Sequence, residues 1–253
     1  MKALLRNLLH RAGYRLSRIT PPPDTVDGFG DLTTEEKAII QSVISLTLTG
    51  PERLAALIGA VKHVVQQRIP GDIVECGVWR GGSMALIART LLLLGETSRT
   101  LYLYDTFAGM PAPTDRDRDL LGRAAGDLLG AERRQAGNTI WAYATLDDVR
   151  ANLLATGYPA DHIVFVPGKV EATIPGTAPE AIAVLRLDTD WYVSTRHELQ
   201  HLYPRLSRHG VLIVDDYGHW RGSRDATDEY LRTLPHPLYL HRVDYTARLA
   251  VKP

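Results

Sequence analysis

The sequence predicts a doubly wound α/β fold: a mainly parallel, seven-stranded sheet with helices on both faces and an antiparallel C-terminal hairpin. Three observations predict it. Short apolar runs alternate with helical segments through the middle of the chain, which demands crossover connections and a sheet buried on both sides. The first run breaks into a glycine-rich turn, Val74-Glu75-Cys76-Gly77-Val78-Trp79-Arg80-Gly81-Gly82-Ser83. Acids close three of the runs, at Asp105, Asp188 and Asp215, the edge at which such sheets bind ligands.

The chain has 253 residues, 45% apolar and 23% charged. That is ordinary globular usage and argues against disorder. Lys plus Arg and Asp plus Glu balance at 29 each, so net charge asks for no nucleic-acid partner. The one cysteine, Cys76, excludes an intramolecular disulfide and fits a reducing cytosol. Its place at the end of a buried run suits packing better than nucleophilic chemistry. No apolar run reaches the ~20 residues of a membrane span, and a cytoplasmic enzyme is expected.

Read in order, residues 1–20 form a basic arm. It carries Lys2, Arg6, Arg11, Arg15 and Arg18, no acid, and leucines at helical spacing. It reads as an arm packed on the body or on a second subunit of a homo-oligomer; weak contact with a membrane surface is the alternative. Thr20-Pro21-Pro22-Pro23-Asp24 breaks this helix. Residues 21–70 form a helical extension with helices at 33–48 and 51–69, the second capped by Thr49 with Pro51 and Glu52 in its first turn.

Residues 71–253 form the main domain. Strands are predicted at 72–77, 100–105, 163–166, 182–187 and 211–214. Helices are predicted at 84–94, 146–156, 195–206 and 223–234, and the closing hairpin at 238–243 and 247–251. The polar stretch 112–145, with Asp115, Arg116, Asp117, Arg118, Asp119, Arg133 and Arg134 and glycines at 122, 126, 130 and 137, reads as a lid insertion.

Two clusters carry the chemistry. The glycine-rich turn departs from G-x-G-x-x-G, which weakens a dinucleotide reading. The turn, with Asp105 at the end of the next strand as a ribose acceptor, points instead to a nucleoside cofactor. The cofactor set is Glu75, Gly77, Trp79, Gly81, Gly82 and Ser83 on the turn, with Asp105 and Thr106 beyond the second strand. At the other end, Asp188, Asp190, Asp215 and Asp216 stand after two strands. Carboxylates so dense need a cation or protons. An all-oxygen set favours Mg²⁺ before Mn²⁺ or Ca²⁺. Asp188 and Asp190, two apart, share a side in extended chain. Asp215 and Asp216 both reach one site only if the chain turns there, which Gly218 permits. His219 is a further candidate ligand or base, though a lone loop histidine is more often structural.

These residues resemble the macrocin-type sugar O-methyltransferases, which tailor macrolide and aminocoumarin antibiotics. The matching runs are Glu75 to Gly82, Tyr104-Asp105-Thr106-Phe107-Ala108-Gly109-Met110-Pro111, Leu187-Asp188-Thr189-Asp190-Trp191-Tyr192, Asp215-Asp216-Tyr217 and Arg221-Gly222-Ser223-Arg224-Asp225-Ala226. The resemblance implies a class I methyltransferase fold, S-adenosylmethionine as methyl donor and Mg²⁺ dependence. It implies that Asp188 is both general base and metal ligand, with Asp190, Asp215 and Asp216 in or beside the metal sphere; which three bind directly stays open. The acceptor implied is a hydroxyl, on the sugar of a small-molecule glycoside or a glycan. The stretch 112–145 matches the family poorly, and there the family has a mobile lid that chooses the acceptor. The alternatives are a catechol or phenol O-methyltransferase and a nucleoside-binding module without catalysis.

Overall fold

A computed structural model describes residues 28–132 and 140–253. The basic arm, the proline linker, and Arg133, Arg134 and Gly137 of the polar stretch lie outside the described residues.

Helix α1 spans Thr34–Val43 and opens on a capping box: the Thr33 hydroxyl accepts the Glu36 N–H and the Glu36 carboxylate accepts that of Thr33. It ends sooner than the predicted 48, giving way to a 3₁₀ turn at Ile44–Leu46. Helix α2, Pro51–Gln66, is capped by Gly50 with no side-chain bond. The Thr49 cap is therefore corrected. Its buried hydroxyl is spent elsewhere, accepting from Arg186 Nη2 at 2.9 Å.

Strand β1 (Asp72–Cys76), α3 (Gly82–Leu93) and β2 (Leu101–Asp105) follow. Then come α4 (Ala125–Ala131), α5 (Leu146–Leu154), β3 (Ile163–Pro167), α6 (Val170–Thr173) and β4 (Ile182–Leu187). The chain closes with α7 (Tyr192–Leu202), β5 (Leu206–Val214), α8 (Arg221–Leu231), β6 (His241–Arg242) and β7 (Arg248–Val251). The sheet is seven-stranded in the order β3-β2-β1-β4-β5-β7-β6. Strands β1 to β5 pair in parallel, and β7 runs antiparallel to β5 and β6. This is the predicted doubly wound sheet with its antiparallel closing hairpin.

Residue alternation divides the strands between two cores. Ile73, Leu101 and Leu103 face α1, α2, α3 and α5; Val74, Cys76 and Tyr104 face α7 and the far side of the sheet. Helices α1 and α2 supply Ile40, Leu54, Leu57, Ile58, Val61 and Val64 to the first core, so the extension shares the core of the main sheet. Cys76 is buried in the second, as a packing role requires.

Some boundaries depend on distant partners. Helix α7 starts at Tyr192, earlier than the predicted 195, and its first N–H is taken by the Asp117 carboxylate at 2.8 Å. Helix α8 starts at Arg221 rather than 223, its N–H bonded to the Arg118 carbonyl. The predicted strand 238–243 shrinks to His241–Arg242, both exposed on the sheet edge. Among the described residues no helix is long and apolar enough to cross a membrane.

The strand order reverses between β1 and β4, which opens the crevice of a doubly wound sheet at their carboxyl ends. Gly77 sets its width. Its φ of +82° turns the chain out of β1, and a Cβ there would lie 2.0 Å from the Asp188 carbonyl oxygen.

Candidate active site

A cavity of about 420 Å³ opens above this switch point. One end is lined by Gly77, Val78, Trp79, Ser83, Asp105 and Thr106. Gly81 and Gly82 lie outside the lining. They open α3, where a Cβ on Gly81 would meet Leu153 and one on Gly82 the Leu46 carbonyl.

Asp105 braces the turn. Its Oδ2 accepts the N–H groups of Val78 (2.9 Å) and Trp79 (3.0 Å), and its Oδ1 that of Phe107 (2.8 Å). Burial raises its pKa against these stabilising bonds. Among the described residues, Glu75 Oε2 and Trp79 Nε1 are buried polar atoms with no protein partner, as is Tyr104 Oη nearby. All three residues line the cavity. An orphaned acceptor and an orphaned donor suit a ligand carrying both an amine and acceptor groups, as an amino-acid-bearing nucleoside does. Asp105→Ala should weaken S-adenosylmethionine binding by about 1–3 kcal/mol, since three main-chain N–H groups lose their acceptor. Calorimetry on the folded variant checks this, and unaltered affinity would remove Asp105 from the cofactor site.

The acidic end is built by β4 and β5. Strand β5 stops at Val214, and the chain turns at once, so that Asp215 and Asp216 both reach the cavity. The Gly218 N–H then bonds the Thr246 carbonyl at 2.7 Å, fixing the turn against the C-terminal hairpin. One oxygen each from Asp188, Asp215 and Asp216 lies within 4.8 Å of the others. Asp190 stands beside this triad with a φ of +64°. Its N–H donates to Asp216 Oδ2 at 3.1 Å. Its carboxyl also meets the Asp216 carboxyl and the Trp220 indole; burial pushes its pKa up to about 7. Trp220 is held edge-on to Trp191 at 4.9 Å. His219 lines the cavity but stands outside the triad, and burial lowers its pKa.

Two guanidiniums counter the acids. Arg186, on β4 and registered opposite Glu75 on β1, is buried and pairs with Glu75. It also pairs with Asp188 Oδ2 at 2.8 Å and Asp215 Oδ1 at 2.8 Å. Arg53, from α2, bonds Asp215 and Asp244. Among the described residues that line the cavity, the acids Glu75, Asp105, Glu171, Asp188, Asp190, Asp215 and Asp216 outnumber the cations Arg53, Lys169 and Arg186. Burial, then mutual repulsion, drives the pKa values of Asp188 and Asp216 well above the carboxylate range. The donor set and the charge deficit fit a hard divalent cation held by Asp188, Asp215 and Asp216.

The macrocin-O-methyltransferase (TylF) family profile matches residues 33–250. The chain belongs to this family. This macrocin-type O-methyltransferase is 34% identical over 232 residues, 91% of its length and 82% of the relative's, to the 8-demethyl-8-(2,3-dimethoxy-alpha-L-rhamnosyl)-tetracenomycin-C 4'-O-methyltransferase of Streptomyces olivaceus. It is 36% identical over 184 residues, 73% of its length and 67% of the relative's, to the demethyldecarbamoylnovobiocin O-methyltransferase of Streptomyces niveus. The solved structure of the O-methyltransferase NovP superposes with a TM-score of 0.70 at 32% identity, covering 82% of each chain.

Sequence reasoning missed several contributors to the macrocin-type site, Lys169 and Glu171 after β3 among them. Arg186 was legible as the lone charge inside the apolar run 182–187. Arg53, with Leu48 and Thr49 beside it, comes from the helical extension, and Tyr245 and Thr246 come from the C-terminal hairpin. Nothing local marks these as site residues.

Proposed function

We propose that this O-methyltransferase moves the methyl group of S-adenosylmethionine to a sugar hydroxyl of a small-molecule glycoside or glycan, with a divalent cation, Mg²⁺ first, at Asp188, Asp215 and Asp216. The observation that carries this reading is the carboxylate triad at the strand ends, beside the cavity that begins at the glycine-rich turn. The sugar acceptor draws support from the Streptomyces olivaceus relative, whose name specifies a rhamnosyl tetracenomycin.

Asp190 is the general base in this reading. The family resemblance implied that role for Asp188. What supports moving it is that Asp188 already belongs to the triad and to the Arg186 pair. Asp190 is the neighbouring acid outside the triad, half-buried and facing the cavity. When bound, the donor supplies a methyl on a sulfonium, and the cation a Lewis-acidic contact for the developing alkoxide. Asp190 would take the acceptor hydroxyl's proton, freeing that oxygen for the methyl group that the donor would supply, with S-adenosylhomocysteine as the other product. Trp191 and Trp220 pack with Ala125 and Leu129 of α4 into an apolar cluster, and Trp220 lines this end of the cavity.

Turnover with labelled donor against glycosides and catechols tests the reading. Chelation should abolish methyl transfer and Mg²⁺ restore it. Full activity in excess chelator, with no metal in the protein, would defeat the cation assignment; transfer to catechols alone would defeat the sugar.

The stretch 112–145 serves as the acceptor lid in this reading. Its part at 112–132 docks on Trp191 and Trp220 through α4. Limited proteolysis within it should slow when S-adenosylhomocysteine and an acceptor are bound. Equal cleavage with and without them would make it a fixed insertion.

A further inference from the structure

Beside the acceptor end lies a second groove of about 400 Å³, between the 118–122 turn of the polar stretch and the first turn of α8. His219 lines both this groove and the main cavity. Its N–H bonds the carbonyl of Asp216 at 3.0 Å, so the groove begins next to the carboxylate triad.

The groove is cationic. Arg118, Arg221 and Arg224 line it, against Asp119 and Asp225. Neither acid offers free charge. Asp119 is buried and bonded to the Arg123 guanidinium at 2.6 Å. Asp225 is shared between Arg116 (3.3 Å) and Arg221 (3.6 Å). Among the described residues Arg118 and Arg224 bond only main-chain carbonyls: Gly122 for the first, Tyr217 and Gly218 for the second. The Arg221 side chain is 68% exposed. Uncompensated guanidiniums bind phosphate oxygens through paired, charge-assisted hydrogen bonds.

We propose that this groove is an anion subsite, which takes a phosphate or diphosphate group carried by the sugar acceptor while another hydroxyl of that sugar meets Asp190. The proposal rests on the sugar O-methyltransferase reading and narrows its acceptor to a phosphorylated sugar: a nucleoside diphosphate sugar or a sugar phosphate. The turn and α8 are already joined by the bond from the Arg221 N–H to the Arg118 carbonyl at 2.8 Å. An anion bridging their side chains would therefore tie the lid segment to the catalytic wall.

The test uses the full chain and the Arg118→Ala/Arg221→Ala double variant. Titrations run in chelator, because a bound cation would itself attract phosphates. Inorganic pyrophosphate, uridine diphosphate and a hexose 1-phosphate are the separate probes. Pyrophosphate should bind the wild type and lose about tenfold or more in affinity in the variant, with S-adenosylhomocysteine affinity unchanged as the control for folding. Tighter binding of uridine diphosphate than of pyrophosphate indicates a nucleotide sugar; the reverse order, with the hexose phosphate bound, indicates a sugar phosphate. With Mg²⁺ present, the variant should raise KM for the phosphorylated acceptor and leave kcat nearly unchanged. Equal affinity of pyrophosphate for both proteins, or none for either, overturns the subsite. Methyl transfer to neutral glycosides, equal in both proteins, overturns it too while leaving the function standing. Arginine-dependent pyrophosphate binding with no methyl transfer to any sugar would instead sink the function and spare the subsite.

Discussion

Asp190→Asn should lower kcat by about 10²–10⁴-fold, the loss expected when a general base is removed. Asparagine keeps the size and the hydrogen bonds around Trp220 and the Asp216 carboxylate but cannot take the hydroxyl proton. Its divalent-ion affinity should stay close to wild type, because Asp188, Asp215 and Asp216 remain. Asp188→Asn should behave differently. It removes a triad oxygen, so calorimetry should show weaker cation binding, and excess Mg²⁺ should restore part of the activity. The pH profile adds a second readout. Burial holds the Asp190 carboxyl near a pKa of about 7 with no cation bound, and a base must be unprotonated to act. Activity should therefore fall as pH drops through the pKa of Asp190. That limb should move to lower pH as Mg²⁺ rises, since a positive charge nearby favours the carboxylate, and Asp190→Asn should lack it. If Asp190→Asn turns over near the wild-type rate while Asp188→Asn, fully loaded with metal, does not, the base is Asp188.

Arg186→Leu should destabilise the fold by about 3–5 kcal/mol, the cost of leaving a buried charge without its partner. Glu75 is 1% exposed, and one of its oxygens already lacks a protein partner. Leucine would strip the guanidinium from the other and from Asp188 and Asp215 as well. Burial already raises the Glu75 pKa from 4.5 to about 7, with Arg186 opposing the rise; without Arg186 it climbs further. A carboxyl with a raised folded pKa favours the folded state below its unfolded value, and that contribution is lost as pH rises through the folded value. The deficit of Arg186→Leu, followed by denaturant melts in chelator, should therefore be small near about pH 5 and largest above about pH 8. Glu75→Gln in the same chain should recover much of it. A midpoint equal to wild type at the higher pH would show that the pair carries no such coupling.

The sequence determined the architecture. Alternation of apolar strands with amphipathic helices fixed the strand count and the parallel arrangement, because each pattern has one way to bury its apolar face. It also marked the ends of the crevice. Gly77 and Asp105 were legible because a positive φ and a strand-end acid leave local signatures, and four aspartates after two strands announced a charge that needs balancing. Tertiary structure decided how those acids are arranged. Asp188 joins Asp215 and Asp216 through the β4–β5 register. Asp190 swings beside them through a left-handed backbone angle that no spacing rule foretells. The fold also brought in Arg53 from α2, 135 residues before Asp188 in numbering, and gave α7 its first-turn acceptor, Asp117, from within the polar stretch. Periodicity and turn chemistry act over a few neighbouring residues. Charge compensation and remote capping act through space, so they are set only when the packed core brings distant segments together.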